Sequence, residues 1–275
     1  MNIHVFIVNY FSEDDTLDLV DQIVRLTANS NINITICVYD NGSSDNRLKT
    51  EPAIDVFIEG NNIGLAAGWV ELIQKTDLYP KDTLIFLNND VILDSDFFHK
   101  LVESRRFLDT SIITPAIYDL GGHCWSAGGK FKYCGILVDH SNTVLSPTPY
   151  LTDHISGCCI IASVENYDLI GGFDPLFFFR GEEWDFNFRA KMKNVNRMVV
   201  PDLVITHKVN GSHDPSSPKG VNQALIAKKI YWEKHFRLIS IFLLSILCIK
   251  LVIKTLINYK SFKYFSVIFK GVFSK

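Results

Sequence analysis

Apolar residues in the first third of the chain come as short unbroken runs separated by polar, turn-forming stretches. Residues 3–10, IHVFIVNY, are nearly all apolar, the pattern of a strand covered on both faces. Ser12 followed by Glu13, Asp14 and Asp15 makes a helix start, and Leu17, Val20, Ile23, Val24 and Leu26 then recur near helical spacing. NITICVYD (33–40) is a second strand, ended by the turn-rich NGSSD (41–45). A short strand DVFIE (55–59), the glycine-bearing GNNIGLAAG (60–68), a helix around Trp69–Gln74 and a strand DTLIFL (82–87) follow. This alternation predicts an α/β fold, a mostly parallel central sheet with flanking helices and right-handed crossovers.

The second half is less regular. GGHCWSAGGKFKYCG (121–135) predicts a hairpin and loop, ISGCCIIAS (155–163) another buried strand, and GGFDPLFFFRGEEWDFNFRAKMK (171–193) a loop entering a helix. VNRMVVPDLVITHKVNGSH (195–213) predicts two short strands, and 218–235 a helix. There is no internal repeat and no low-complexity linker.

Ligands of parallel sheets sit beyond the carboxyl ends of the strands. Three runs end there in polar residues: Asn9, Asp40, and Asn88-Asn89-Asp90. A lone strand-end carboxylate commonly caps the next turn or helix, but here several polar groups converge, with Asn61 and Asn62 opening a glycine-bearing loop. Such a set suits a sugar nucleotide. One Asp can accept from a base N–H or a ribose hydroxyl, loop N–H groups can face phosphate, and one carboxylate can hold a divalent cation on the diphosphate. Oxygen-rich ligation favours Mg²⁺ or Mn²⁺ over zinc.

Charge and composition change the picture mainly at the C-terminus. The 275 residues carry a formal −3, yet from Phe236 onward there are seven Lys or Arg and no Asp or Glu, which leaves the first 235 residues at −10. An acidic globular part argues against a nucleic-acid partner. The division expected is therefore residues 1–235 as one globular domain and 236–275 as an apolar, basic, helical membrane-associating tail. Residues 238–249 contain only Ser240 and Ser245 as polar positions, and the apolar run reaches the length of a span, about 20 residues, only by including two lysines. A helix lying on the membrane surface with snorkelling lysines fits this pattern; packing in the core or at a dimer contact is the competing reading. Six cysteines show no C-x-x-C and no zinc spacing, as expected of reduced thiols, and MNIHVFIVNYF reads as a strand rather than a cleavable signal.

VNYFS, DNGSSD, NNIGLAAG, LNNDV, GGFDPLFFFRGEEWDFNFR and ITHKVNGS follow one another over residues 3–213 in the order of glycosyltransferase family 2, and the chain resembles its bacterial rhamnosyltransferase-like branch of surface-polysaccharide (O-antigen or capsule) biosynthesis. The resemblance implies a GT-A fold and inverting transfer from a nucleotide-diphosphate sugar, dTDP-rhamnose or a UDP-hexose. The implied acceptor is a saccharide on a polyprenyl lipid, at the cytoplasmic face of the inner membrane. It places NND where the family has its D-x-D-type motif, so that Asp90 binds the metal and Asn88 replaces the first acid. Asp40 matches the base contact and Asn9 packs around it; Asn62, Gly64 and Asn89 complete the donor side, and His207 is a further metal or diphosphate contact. GEEWD matches G-E-D-x-D, whose second acid is the general base, here Glu183. Glu182, Trp184, Asp185 and Arg189 are supporting or acceptor-side residues, although Asp185 with Arg189 also reads as an i, i+4 pair and Trp184 as core. Outside this family, a sugar-phosphate nucleotidyltransferase would also use a carboxylate-held metal but would need a basic glycine-rich loop where VNYFSEDD is acidic. A non-catalytic scaffold would dispense with Asp90 and Glu183, and both are present.

Overall fold

The computed structural model describes residues 2–43, 46–208 and 217–259. The first elements follow the predicted order: β1 (Asn2–Asn9), α1 (Glu13–Thr27), β2 (Asn33–Asp40), β3 (Val56–Glu59), α2 (Leu65–Lys75) and β4 (Thr83–Leu87). Then come β5 (Val91–Leu93), α3 (Phe97–Ser104), β6 (Ser111–Asp119), β7 (Cys124–Ser126), β8 (Gly129–Lys132), β9 (Leu137–His140), β10 (Tyr150–Thr152), β11 (Cys159–Ser163), α4 (Val164–Ile170), α5 (Glu182–Met192), β12 (Asn196–His207), α6 (Pro218–His235) and α7 (Arg237–Tyr259).

The main sheet runs β10-β12-β6-β11-β4-β1-β2-β3. β4, β1, β2 and β3 are mutually parallel, as is β6 with β12, while β11 lies antiparallel between β4 and β6. It follows that β1, β2, β4, β6 and β12 all point their carboxyl ends at one edge. The unbroken apolar runs are explained by the period of two. Ile3, Val5 and Ile7 face a core with Leu19 and Ile23 of α1 and Phe97 and Leu101 of α3. Phe6 and Val8 face the other, with Trp69 and Leu72 of α2, Tyr167 of α4 and Phe186 of α5.

Two expectations change. VNRMVVPDLVITH is one strand rather than two: β12 pairs with β6 along its length but slips register between Val200 and Val204, a bulge that accommodates Pro201, which has no N–H to give a ladder. The glycine-rich stretch is not one hairpin, since β7 pairs with β6 while β8 pairs with β9. The C-terminal part of the chain continues as α7, which packs on α6 through a shared apolar cluster of Tyr231, Trp232 and Leu244. Among the described residues no helix is long and apolar enough to cross a membrane. Ser44 and Asp45, residues 209–213 of the late histidine motif, and 260–275 of the basic tail lie outside the described residues.

Candidate functional site

The carboxyl edge gathers the strand-end residues around Asn9, which is fully buried. Its Nδ2 donates to Asp40 Oδ1 (3.0 Å) and Glu13 Oε1 (3.2 Å), and its Oδ1 accepts from Thr16 Oγ1 (2.9 Å) and Ser12 N (3.3 Å). Asn89 turns inward too, donating to Thr16 Oγ1 (2.9 Å) and Ser12 O (3.3 Å). With their amides engaged inside the fold, Asn9 and Asn89 hold the start of α1 against β1 and β4, and Asn9 packs against Asp40 and aims it. Asp40 is buried and also accepts from Ser43 N (3.2 Å); burial pushes its carboxyl above the ordinary value, against the bond from Asn9.

Asn62 and Gly64 have local tasks as well. Asn62 Oδ1 accepts from Gly64 N (3.1 Å), an Asx turn, and the neighbouring Asn41 Oδ1 accepts from Ile63 N (2.8 Å). Gly64 has φ +92°, and a Cβ there would lie 2.3 Å from Phe178 O. The glycine is therefore required by a close approach of backbone, sealed by Leu65 N donating to Phe178 O (3.0 Å). The loop before α2 and the loop before α5 touch at this point.

Asp90 and His207 meet across the edge: His207 Nε2 is 3.1 Å from Asp90 Oδ1, and the Trp125 ring packs edge-on against the imidazole at 4.6 Å. The other ring nitrogen, Nδ1, is buried without a partner. Among the described residues no three His, Cys, Asp or Glu side chains cluster as a metal site. One carboxylate and one imidazole about 3 Å apart nevertheless fit two ligands of a single hard cation at about 2.1 Å each, with phosphate oxygens and water completing the shell. Asn88 is held by its backbone, N donating to Cys158 O (3.0 Å).

That contact leads to the acids of α5. The segment 156–158 carries Asn88 on Cys158, while at Gly157 a Cβ would lie 3.4 Å from Glu183 Cβ and 3.6 Å from Glu182 Oε1. Glu182 is 4% exposed and its Oε2 is buried without a partner. Burial, reinforced by Glu183, pushes the Glu182 carboxyl well above the usual range. The dry carboxyl of the pair is Glu182, while Glu183 is half-buried and accepts from Gly181 N (3.2 Å). Asp185 and Arg189 form the i, i+4 pair inside the fold. Asp185 is fully buried, with Arg189 Nη2 at 2.7 Å, His235 Nε2 at 2.7 Å and Lys234 Nζ at 2.9 Å, so it touches no acceptor. Trp184 packs in the α6–α7 cluster near Tyr231. A larger cavity of about 620 Å³ lies at the opposite end of β12, by Asn196 and Arg197, away from all of these groups.

No family model matches the chain. The low-salt glycan biosynthesis hexosyltransferase Agl10 of Haloferax volcanii is 25% identical over 226 residues, 78% of this chain and 71% of that protein. Similar solved structures are GalNAc-T7 with UDP, GalNAc and Mn²⁺ (TM-score 0.61, 16% identity) and S. aureus TarS (TM-score 0.56, 13% identity), each aligned with 84–85% of this chain. TarS residues 1–349 with UDP give a TM-score of 0.55 at 14% identity. The chain spans only 50% of the GalNAc-T7 chain and 40% of the full TarS chain. These neighbours are GT-A glycosyltransferases, and the mostly parallel sheet described above resembles theirs. Together, the hexosyltransferase relative and the shared fold support an enzyme of the glycosyltransferase class.

Proposed function

We propose that the chain transfers a sugar from a nucleoside-diphosphate donor to a hydroxyl of a saccharide acceptor, in one inverting displacement at the carboxyl edge of the sheet. The observation that carries this reading is the segment 156–158. It joins the strand end that bears Asp90, through Cys158 O, to the Glu182–Glu183 pair, through the missing side chain of Gly157. A diphosphate at Asp90 and an acceptor hydroxyl at Glu183 are then neighbours.

Asp40, aimed by Asn9, takes the nucleotide, and the 61–64 loop faces the donor. Asp90 and His207 would hold a divalent cation, Mg²⁺ or Mn²⁺, and it would supply charge stabilisation to the departing diphosphate. Glu183 removes the proton of the acceptor hydroxyl, whose oxygen attacks the anomeric carbon as the bond to the diphosphate breaks and its electron pair leaves with the phosphate. Burial keeps Glu182 as the acid, and Glu183, the less buried of the pair, is the one placed toward the acceptor. UDP is bound in the GalNAc-T7 and TarS structures, which makes a UDP-hexose the first donor to try, with dTDP-rhamnose as the alternative from the motif pattern. The acceptor proposed is lipid-linked, in surface-polysaccharide assembly, with the C-terminal helices resting on the cytoplasmic face of the membrane.

The test is nucleotide release by the full chain from a panel of UDP-, dTDP- and GDP-sugars, with Mg²⁺, with Mn²⁺ and with chelator. Glu183→Gln should lower turnover on the order of 10²–10⁴-fold with nucleotide affinity unchanged, and Asp90→Ala should remove most metal-dependent nucleotide binding. Undiminished turnover in chelator would sink the metal site, and near-normal rates in Glu183→Gln would sink the base.

A further inference from the structure

Just before the Glu182–Glu183 pair the chain exposes a run of large apolar side chains, with Leu176 at 69% and Phe178 at 47% exposure. Behind them is a notch of about 130 Å³ formed by Phe177, Phe178 and Phe179 on one side and Ile226, Ala227 and Ile230 of α6 on the other, with almost no polar atom exposed in its wall. Arg180 stands at its rim over the Phe179 ring and has no ion pair among the described residues. Arg180 (φ +70°) and Gly181 (φ +88°) turn the chain back through two left-handed residues. At Gly181 a Cβ would meet Phe177 Cδ1 at 2.9 Å and the Ala227 methyl at 3.1 Å, so the notch and the N-terminus of α5 are in direct contact. The same α6 carries α7, whose outward face presents Leu238, Ile241, Phe242 and Ile249 to solvent. A helix apolar on its outward face as well as its packed one, in a basic segment without acids, is suited to an anionic bilayer surface. Notch and outer face thus belong to one α6–α7 unit.

We propose that this notch holds the first hydrocarbon units of a lipid-phosphate-linked saccharide acceptor, with Arg180 toward its phosphate and its sugar toward Glu183. This deepens the glycosyltransfer reading and rests on it. The notch has room for the head of a chain and not its whole length, so the remainder stays along the exposed face of α7 in the bilayer. The arrangement suits an acceptor whose reacting sugar lies close to its lipid phosphate.

Binding of farnesyl diphosphate, inorganic diphosphate and farnesol to the full chain in chelator, measured by calorimetry, tests the site without the donor metal. Farnesyl diphosphate should bind roughly tenfold or more tightly than inorganic diphosphate, a gain equal to fewer than two buried CH₂ groups. Phe178→Ser and Ile226→Ser should each abolish that gain, and Arg180→Gln should weaken both phosphates. Equal affinity for the two phosphates overturns the proposal. So does a farnesyl gain that persists in both apolar variants while each retains the wild-type melting temperature, as does binding to phosphatidylglycerol vesicles with none to farnesyl diphosphate. UDP with Mn²⁺ is titrated in parallel with the wild type. Loss of UDP binding by the wild type counts against the donor site alone.

Discussion

Asp185→Ala separates architecture from catalysis in the acidic start of α5. The carboxylate is fully buried and accepts from four donors: Arg189 Nε (2.9 Å) and Nη2 (2.7 Å) on Oδ2, and His235 Nε2 (2.7 Å) and Lys234 Nζ (2.9 Å) on Oδ1. Burial alone would raise its pKa, but the bonds from His235 and Arg189 outweigh it and hold the carboxyl well below the usual carboxylate range. Truncation leaves the half-buried Arg189 and His235 facing an empty hole, while the exposed Lys234 keeps its ion pair with Asp174. The loss is about 3–5 kcal/mol for one partner of a buried pair. At about 2–4 °C per kcal/mol for a chain of this size, the melting temperature should fall by roughly 6–20 °C. The sign of the pH dependence follows from a folded pKa below the unfolded value of about 3.9. The stabilisation is complete above that value and lost as pH falls through it toward the folded pKa, so the gap between wild type and variant is full at pH 7 and closes below about pH 4. Thermal unfolding by circular dichroism across this range is the assay, with UDP affinity measured well below the transition. A variant that melts like the wild type at pH 7 but cannot transfer sugar would refute the reasoning and make Asp185 part of the chemistry.

Glu182→Gln should raise the melting temperature at neutral pH. A carboxyl whose folded pKa is raised contributes stability below its unfolded pKa that is lost as pH climbs, so the gain should grow from pH 5 to pH 8; a pH-independent effect would contradict a buried acid. Gly64→Ala imposes a side chain on a backbone conformation that is essentially glycine-only and points its methyl at Phe178 O, which costs about 1–3 kcal/mol in strain before the clash is counted. Unchanged thermal stability would mean that the two loops part freely.

The strands that end at Asn9, Asp40 and Leu87 were legible because continuous apolar runs mark buried parallel strands wherever both faces are covered. β6 was not: it has Pro115 in its middle, normally a mark against an interior strand. The proline is tolerated opposite Val200, just where β12 bulges and the ladder is already broken. At the site, the sequence shows which polar residues collect at the edge but not which way each side chain turns. Asn9 and Asn89 point inward to a helix start, a choice made by Thr16 and Ser12. Likewise the i, i+4 pairing of Asp185 with Arg189 was local and visible, whereas His235, fifty residues on, was not. Burial of Glu182 rather than Glu183 depends on which side of α5 faces Gly157, and the low amphipathicity of GEEWDFNFR leaves that undetermined until β11 and α6 are packed around it.

The contact of Gly64 with Phe178 makes the two rims of the cleft a single mechanical part. With the Leu65 amide bonded to Phe178 O and no room for even a methyl between the backbones, the loop after β3 cannot shift without carrying the turn at Arg180 and Gly181, and with it the first turn of α5. A molecule settling on one rim is therefore felt at the other as displacement rather than as charge, and the spacing between the two substrates is set by the protein before either of them arrives.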